Sequence, residues 1–239
     1  MKKGLILPVL ALALVMGACE DDEDGTGPNT QAQIRFVNAV GGVTGNLALT
    51  ANGTMVGSAL GFGSSASTCT RVNSGSATLA FGTANTGGTG ISGTALETMT
   101  QNLVAGGNYT IIATGTATDP QFLVFNNTTT TTIPTGQTAV RFVNLVPSLT
   151  GGASSTFNVF TGTTTTGTPL ASSISFAAQP TTFSNIQPGS TTFTFTDAQG
   201  QTIFSNSTGL NLTAGTTNTV AILPNSAGTG YQLVNLTSC

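Results

Sequence analysis

The chain has no histidine and no tryptophan, only three cysteines, and a charged fraction of 5% over 239 residues, where a soluble domain usually carries about 25%. Each absence excludes a kind of chemistry. Without histidine no Ser-His-Asp or Cys-His arrangement can be assembled. Three thiols without an imidazole do not make a zinc site of ordinary composition, and the body has no carboxylate-rich loop for calcium. The chain is therefore expected to need no metal and no cofactor.

The few charges are also unevenly placed. Lys2 and Lys3 stand at the start, and Glu20, Asp21, Asp22, Glu23 and Asp24 form one run. The rest of the chain carries only Arg35, Arg71, Arg141, Glu97, Asp119 and Asp197. Three positive and three negative charges give no basic patch for phosphates, so nucleic acid is not an expected partner. General acid–base catalysis needs two titratable groups within reach, and these three carboxylates are isolated from one another in sequence. Asp119 precedes Pro120 and reads as a turn former, while Glu97 and Asp197 read as solvated charges. The expectation is a non-enzymatic protein.

What is present begins with a leader. Lys2 and Lys3 precede an apolar run from Gly4 to Val15, and Gly17 and Ala18 lead to Cys19, the usual order of a secretory signal. The 15 residues from Gly4 to Ala18 fall short of the roughly 20 needed to span a bilayer. The segment Val15-Met16-Gly17-Ala18-Cys19 resembles the bacterial lipobox, with Met16 where Leu is commonest. That resemblance implies acylation of Cys19 and stable anchoring to a membrane through several chains. Residues 1–18 are thus expected to be a lipoprotein signal peptide. Residues 19–31 are expected to be a flexible tether, because five successive acids followed by Gly25, Gly27 and Pro28 cannot pack. An acidic run directly behind the lipidated cysteine also resembles the surface-export signal of some Gram-negative lipoproteins. The expected location is the cell envelope, at the outer membrane or cell surface.

The body repeats itself. Ala32-Gln33-Ile34-Arg35-Phe36-Val37-Asn38-Ala39-Val40 matches Thr138-Ala139-Val140-Arg141-Phe142-Val143-Asn144-Leu145-Val146, with Arg35 and Arg141 106 positions apart. Later landmarks keep the same order: Leu60-Gly61-Phe62 with Ile174-Ser175-Phe176, Ser74-Gly75-Ser76 with Pro188-Gly189-Ser190, and Leu103-Val104-Ala105-Gly106 with Leu212-Thr213-Ala214-Gly215. A period of this length suits two sequential domains better than a solenoid. The expected boundaries are residues 32–127 and 138–239, joined by a Thr-rich linker over 128–137.

Each copy reads as all-β. Val, Ile, Phe and Thr dominate, no long window carries a helical stripe, and turn signals such as Asn52-Gly53, Gly106-Gly107 and Pro188-Gly189 recur about every ten residues. Thr191 to Thr196 is the clearest strand, with Phe193 and Phe195 on one face. About seven short strands per copy predict tandem immunoglobulin-like β-sandwiches, with most of the 13 Phe in their cores.

The Ile-Arg-Phe-Val-Asn opening, the segment Asn46 to Gly53 and the two Leu-x-Ala-Gly-x-x-x-Thr segments resemble the bacterial domain of unknown function 4397 family, in two copies from Ala32 onward. The resemblance implies secreted or cell-surface β-domains and supplies no catalytic residue. Its members often carry His where Asn38 and Asn144 stand, and an acidic residue in place of Asn46.

Two pairs of residues are candidates for a site. Arg35 and Arg141 recur at equivalent strand positions, either as a ligand-binding guanidinium in each copy or as outward residues that pair locally and guard a strand edge. Cys69 stands where Phe183 falls in the second copy, and a Cys69–Cys239 disulfide is open to a chain in an oxidising compartment. The functional expectation is a binding or structural module with envelope or extracellular glycans or proteins as partners. A glycan-binding or adhesion module and a self-assembling matrix subunit are the alternatives. Sugar stacking usually uses exposed aromatics, and beyond Phe the chain offers only Tyr109 and Tyr231.

Overall fold

The structure, a computed structural model, describes residues 30–128, 131–147, 156–225 and 230–237. The leader, the acidic tether, Cys19 and Cys239 lie outside these residues. Among the described residues there are 19 strands and no helix, so the chain is all-β, as the Val, Ile, Phe and Thr content predicts.

The first nine strands are β1 (Gln31–Asn38), β2 (Leu47–Ala51), β3 (Thr54–Met55), β4 (Ser64–Ser65), β5 (Thr70–Asn73), β6 (Gly75–Thr83), β7 (Glu97–Leu103), β8 (Asn108–Thr116) and β9 (Asp119–Asn126). They make two sheets. In one, β4 and β5 line one side of β1, β8 runs parallel along its other side, and β9 closes the sheet beyond β8. The other has the order β3-β2-β6-β7. Ile34 and Phe36 of β1 meet Leu47, Leu49, Leu79 and Phe81 between the sheets, as alternation along each strand requires. Asn52 and Gly53 both have positive φ, 50° and 78°, the two-residue hairpin turn that joins β2 to β3 with the right twist.

The remaining strands are β10 (Thr138–Asn144), β11 (Phe157–Thr161), β12 (Ala171–Ile174), β13 (Ser184–Ile186), β14 (Gly189–Thr191), β15 (Phe193–Thr196), β16 (Thr202–Ser205), β17 (Leu210–Leu212), β18 (Thr217–Pro224) and β19 (Tyr231–Thr237). They form a sheet β13-β10-β18-β19, a sheet β12-β11-β15-β16 and a β14-β17 pair. Their core is aromatic: Phe142, Phe157, Phe193 and Phe195 are fully buried and stack edge to face, Phe142 on Phe193 at 5.2 Å and on Phe195 at 6.2 Å. No sheet among the described residues mixes strands from before and after the segment joining β9 to β10.

One strand differs from its sequence reading. Thr191 to Thr196 is broken at Thr192, and its two halves belong to different sheets. The Asn206 side chain spans the break, accepting from the Phe193 N–H at 2.5 Å and donating to the Thr191 carbonyl at 3.5 Å.

The two sandwiches share a third core. Val37, Ala39, Ile112, Leu123 and Phe125 pack against Val143, Leu145, Ala221, Leu223 and Leu236. These side chains alternate with those of the two inner cores, so β1, β8, β10 and β18 are buried on both faces. Sheet β4/β5-β1-β8-β9 therefore lies face to face with sheet β13-β10-β18-β19.

Candidate functional site: the joint between the two sandwiches

The repeated motifs deliver the same pair of side chains in each half. The strands β1 and β8 run parallel with Arg35 opposite Thr110, and β10 and β18 run parallel with Arg141 opposite Thr219. Thr110 and Thr219 are the last residues of the two Leu-x-Ala-Gly-x-x-x-Thr segments. Both pairs lie on the face of the sheet that meets the other sandwich.

Arg141 is the hub of this joint. Its Nε donates to Thr219 Oγ1 at 2.9 Å and its Nη2 donates to Asn127 Oδ1 at 2.7 Å. Asn127, just past β9, donates in turn from Nδ2 to Thr110 Oγ1 at 2.6 Å. A chain of four side chains thus ties β8 to β18 across the boundary. The Arg141 guanidinium also lies 5.1 Å from the Phe125 ring of the first sandwich and 4.6 Å from the Phe183 ring of its own, a sandwiched cation–π geometry. Arg35 is only 7% exposed. It donates from Nη1 to the Ala66 carbonyl, while its Nε is buried with no partner. Burial pulls both guanidinium groups below the usual arginine value, since a dry environment penalises the charged form.

Asn38 and Asn144 are also buried, at equivalent places in β1 and β10. Asn38 donates to the Leu60 carbonyl at 2.8 Å and accepts from the Val40 N–H at 3.1 Å. Asn144 donates to the Ile174 carbonyl at 3.1 Å and accepts from the Val146 N–H at 2.9 Å. Each amide satisfies backbone groups where its strand leaves the sheet, which is a structural use of the position.

The other sequence candidates are scattered. Glu97 opens β7 and Asp119 opens β9; Asp197 accepts from the Gln199 and Gln201 N–H groups in the turn after β15. Among the described residues no group of three or more His, Cys, Asp or Glu is placed to hold a metal ion. Tyr109 is buried with its hydroxyl accepting from the Val104 N–H at 2.9 Å, and Tyr231 packs edge to face on Phe157 and Phe204. Cys69 is disulfide-bonded. It occupies the place of Phe183, because Thr70 pairs with Ile34 as Ser184 pairs with Val140. At the far end of the joint from Arg141, a cleft of about 270 Å³ is lined by Val40, Val43, Phe62, Pro147 and Pro224.

Sequence reasoning missed Asn127, Phe125 and the role of Thr110 and Thr219. The available signal was the nearly continuous apolar character around Phe36, Ile111 and Phe142, which marks strands covered on both faces.

The fold and the joint define a tandem β-sandwich protein. The model of the family described as Domain of unknown function (DUF4397) matches residues 32–150, and the chain belongs to that family. The matched stretch covers the first sandwich and the opening strand of the second; the correspondence of the later residues rests on the shared strand registers. No curated protein matches the chain. A solved chain from Bacteroides fragilis described as a "putative cell adhesion protein" is similar at 11% identity. That likeness covers 86% of this chain and 97% of the other at a TM-score of 0.21, too poor a superposition to carry function across.

Proposed function

We propose that the chain is a non-catalytic, lipid-anchored cell-envelope protein, acting at the cell surface as a binding or structural module made of two β-sandwich repeats. The observation that carries this reading is where the scarce charge goes. Two of the three arginines of the body lie in the joint between the sandwiches, hydrogen-bonded to neutral groups, and the three carboxylates stand on separate elements. Machinery of this kind holds two domains in a set relation; it offers no acid–base pair for a reaction. Tyr109 is buried, so the glycan-binding alternative would have to stack a sugar on the half-buried Tyr231 and Phe204.

Anchoring would run through Cys19 and the acidic tether, and the partners are the membrane and then envelope or extracellular glycans or proteins. Cys19→Ser is expected to abolish metabolic palmitate labelling and to release the protein from the membrane fraction. Protease shaving of intact cells, with a periplasmic protein as control, then tests surface display. A chain that stays in membranes and unlabelled in both forms overturns the lipoprotein reading.

In the same reading Cys239 is the partner of Cys69. A side chain at Gly63, just before β4, would meet those of Gln232 and Leu223, and β4 and β19 lie side by side at that level. Cys69 follows Gly63 by six residues and Cys239 follows Gln232 by seven, comparable lengths of chain. Non-reducing peptide mapping is expected to recover a Cys69–Cys239 linked pair. A linked pair involving Cys19 refutes both this pairing and the acylation of Cys19.

A further inference from the structure

Three long strands lie at sheet edges among the described residues, and two of them are covered. The edge of β9 contains Pro120, and the Gln179 side chain of the second sandwich reaches its Val124 carbonyl at 3.5 Å. The strand β19 lies beside β4 of the first sandwich. The remaining edges are two to four residues long, and β12 and β16 are also interrupted by register shifts. The strand β7 is different. It pairs with β6 in unbroken register over all seven residues, from Glu97 opposite Phe81 to Leu103 opposite Gly75; β9 of the facing sheet comes near it and the Gln101 side chain donates to the Asn102 carbonyl at 3.0 Å, but no strand among the described residues is hydrogen-bonded to its outer edge.

Proteins protect such edges with Lys, Pro, bulges or covering loops. The sequence Glu97-Thr98-Met99-Thr100-Gln101-Asn102-Leu103 contains no proline, no glycine and no cation, and its one charge is at the end. Thr98, Thr100 and Asn102 are exposed on the outer face of the sheet, while Leu103 is buried and Met99 packs against the inner core.

We propose that β7 is a self-association edge, pairing antiparallel with β7 of a second copy of this chain about a two-fold axis at Thr100. Such a contact is isologous and closed, giving a dimer with one continuous eight-stranded sheet. The sequence is complementary to itself in that register. Thr100 faces Thr100 of the other copy, Thr98 faces Asn102, Met99 faces Gln101, and Glu97 faces Leu103. Hydroxyl and amide pairs meet on the outer face, and no like charges are opposed. Any other antiparallel register leaves part of the edge unpaired. An inserted extended peptide would use the same backbone groups, but it would not place two Thr100 side chains together. This inference goes beyond the function proposed above and holds whether or not the chain is lipidated.

The test uses the full chain in mild detergent, followed by sedimentation and by cross-linking under a mild oxidant. Wild-type protein is expected to dimerise at concentrations up to about 100 µM, the range of a small interface. Thr100→Cys should yield a covalent dimer, because the two Cβ atoms would be about 5 Å apart. Thr98→Cys alone should not, since its copies would be separated by about 14 Å, whereas the Thr98→Cys, Asn102→Cys double variant should. Thr100→Lys sets two ammonium groups against each other and is expected to weaken the dimer at least about tenfold while leaving the monomer folded. A monomeric wild type overturns the proposal. So does a dimer that ignores Thr100→Lys or cross-links equally through Thr98→Cys alone.

Discussion

Phe195→Ala is expected to cost about 3–5 kcal/mol, the range for emptying a buried aromatic site. Phe195 is fully buried and stands at the centre of the ring cluster, with Phe142 at 6.2 Å, Phe157 at 6.4 Å and Phe204 at 5.9 Å. Those rings belong to strands of both sheets, so none can close the gap without leaving its own pairing. A domain of ordinary stability holds about 5–15 kcal/mol in total, and the loss should lower the melting temperature of the chain by at least about 6 °C, because the two sandwiches are expected to melt as one unit. Calorimetry checks this, with Val104→Ala as the control. Val104 is 57% exposed, and its truncation is expected to stay within about 0.5 kcal/mol. A Phe195→Ala protein that melts with the control would mean that the cluster is loosely packed.

Arg141→Ala is expected to cost about 2–4 kcal/mol, because hydrogen bonds to a charged group are each worth about 1.5–3 kcal/mol and partial exposure reduces that. It removes the donor to Asn127, the donor to Thr219 and the plane between the Phe125 and Phe183 rings. The loss falls on the joint and not on either inner core. Its expected signature is therefore a change in cooperativity: one thermal transition for the wild type, and two for the variant as the sandwiches melt separately. Arg141→Met separates the contributions. It keeps an apolar stem between the rings and loses only the hydrogen bonds, so it should recover part of the coupling. If Arg141→Ala melts in one transition within about 1 kcal/mol of the wild type, the apolar contacts of Leu145, Leu223 and Phe125 hold the joint by themselves.

Much of each sandwich was legible in the residues because strand periodicity is local. The alternation of Ile34 and Phe36 with Arg35 and Val37 specifies two faces, and Asn52-Gly53 specifies a hairpin turn through the positive φ that those residues tolerate. The matched Arg-Phe-Val-Asn segments place equivalent strands in both halves, and the structure gives those strands the same parallel partners in the same register. The break at Thr192 was not legible. It goes with the Asn206 side chain, 14 residues away, which bonds the backbone on both sides of Thr192.

The candidate site shows the same division. The sequence marked Arg35 and Arg141 as a pair but left open what stands over them. Period-two alternation distinguishes the two faces of a strand; it carries no information on whether the second face meets water, a ligand or another domain. The sequence by itself determined the all-β class, the scarcity of reactive groups and the repetition of one strand plan. The tertiary structure decided that the outer faces of the repeated strands bury each other, which sets Arg141 between Phe125 and Phe183 and makes Asn127 the bridge to Thr110. That outcome depends on contacts between different sheets, from 14 positions apart for Arg141 and Asn127 to 78 for Arg141 and Thr219, and only the docking of complete sheets brings them together.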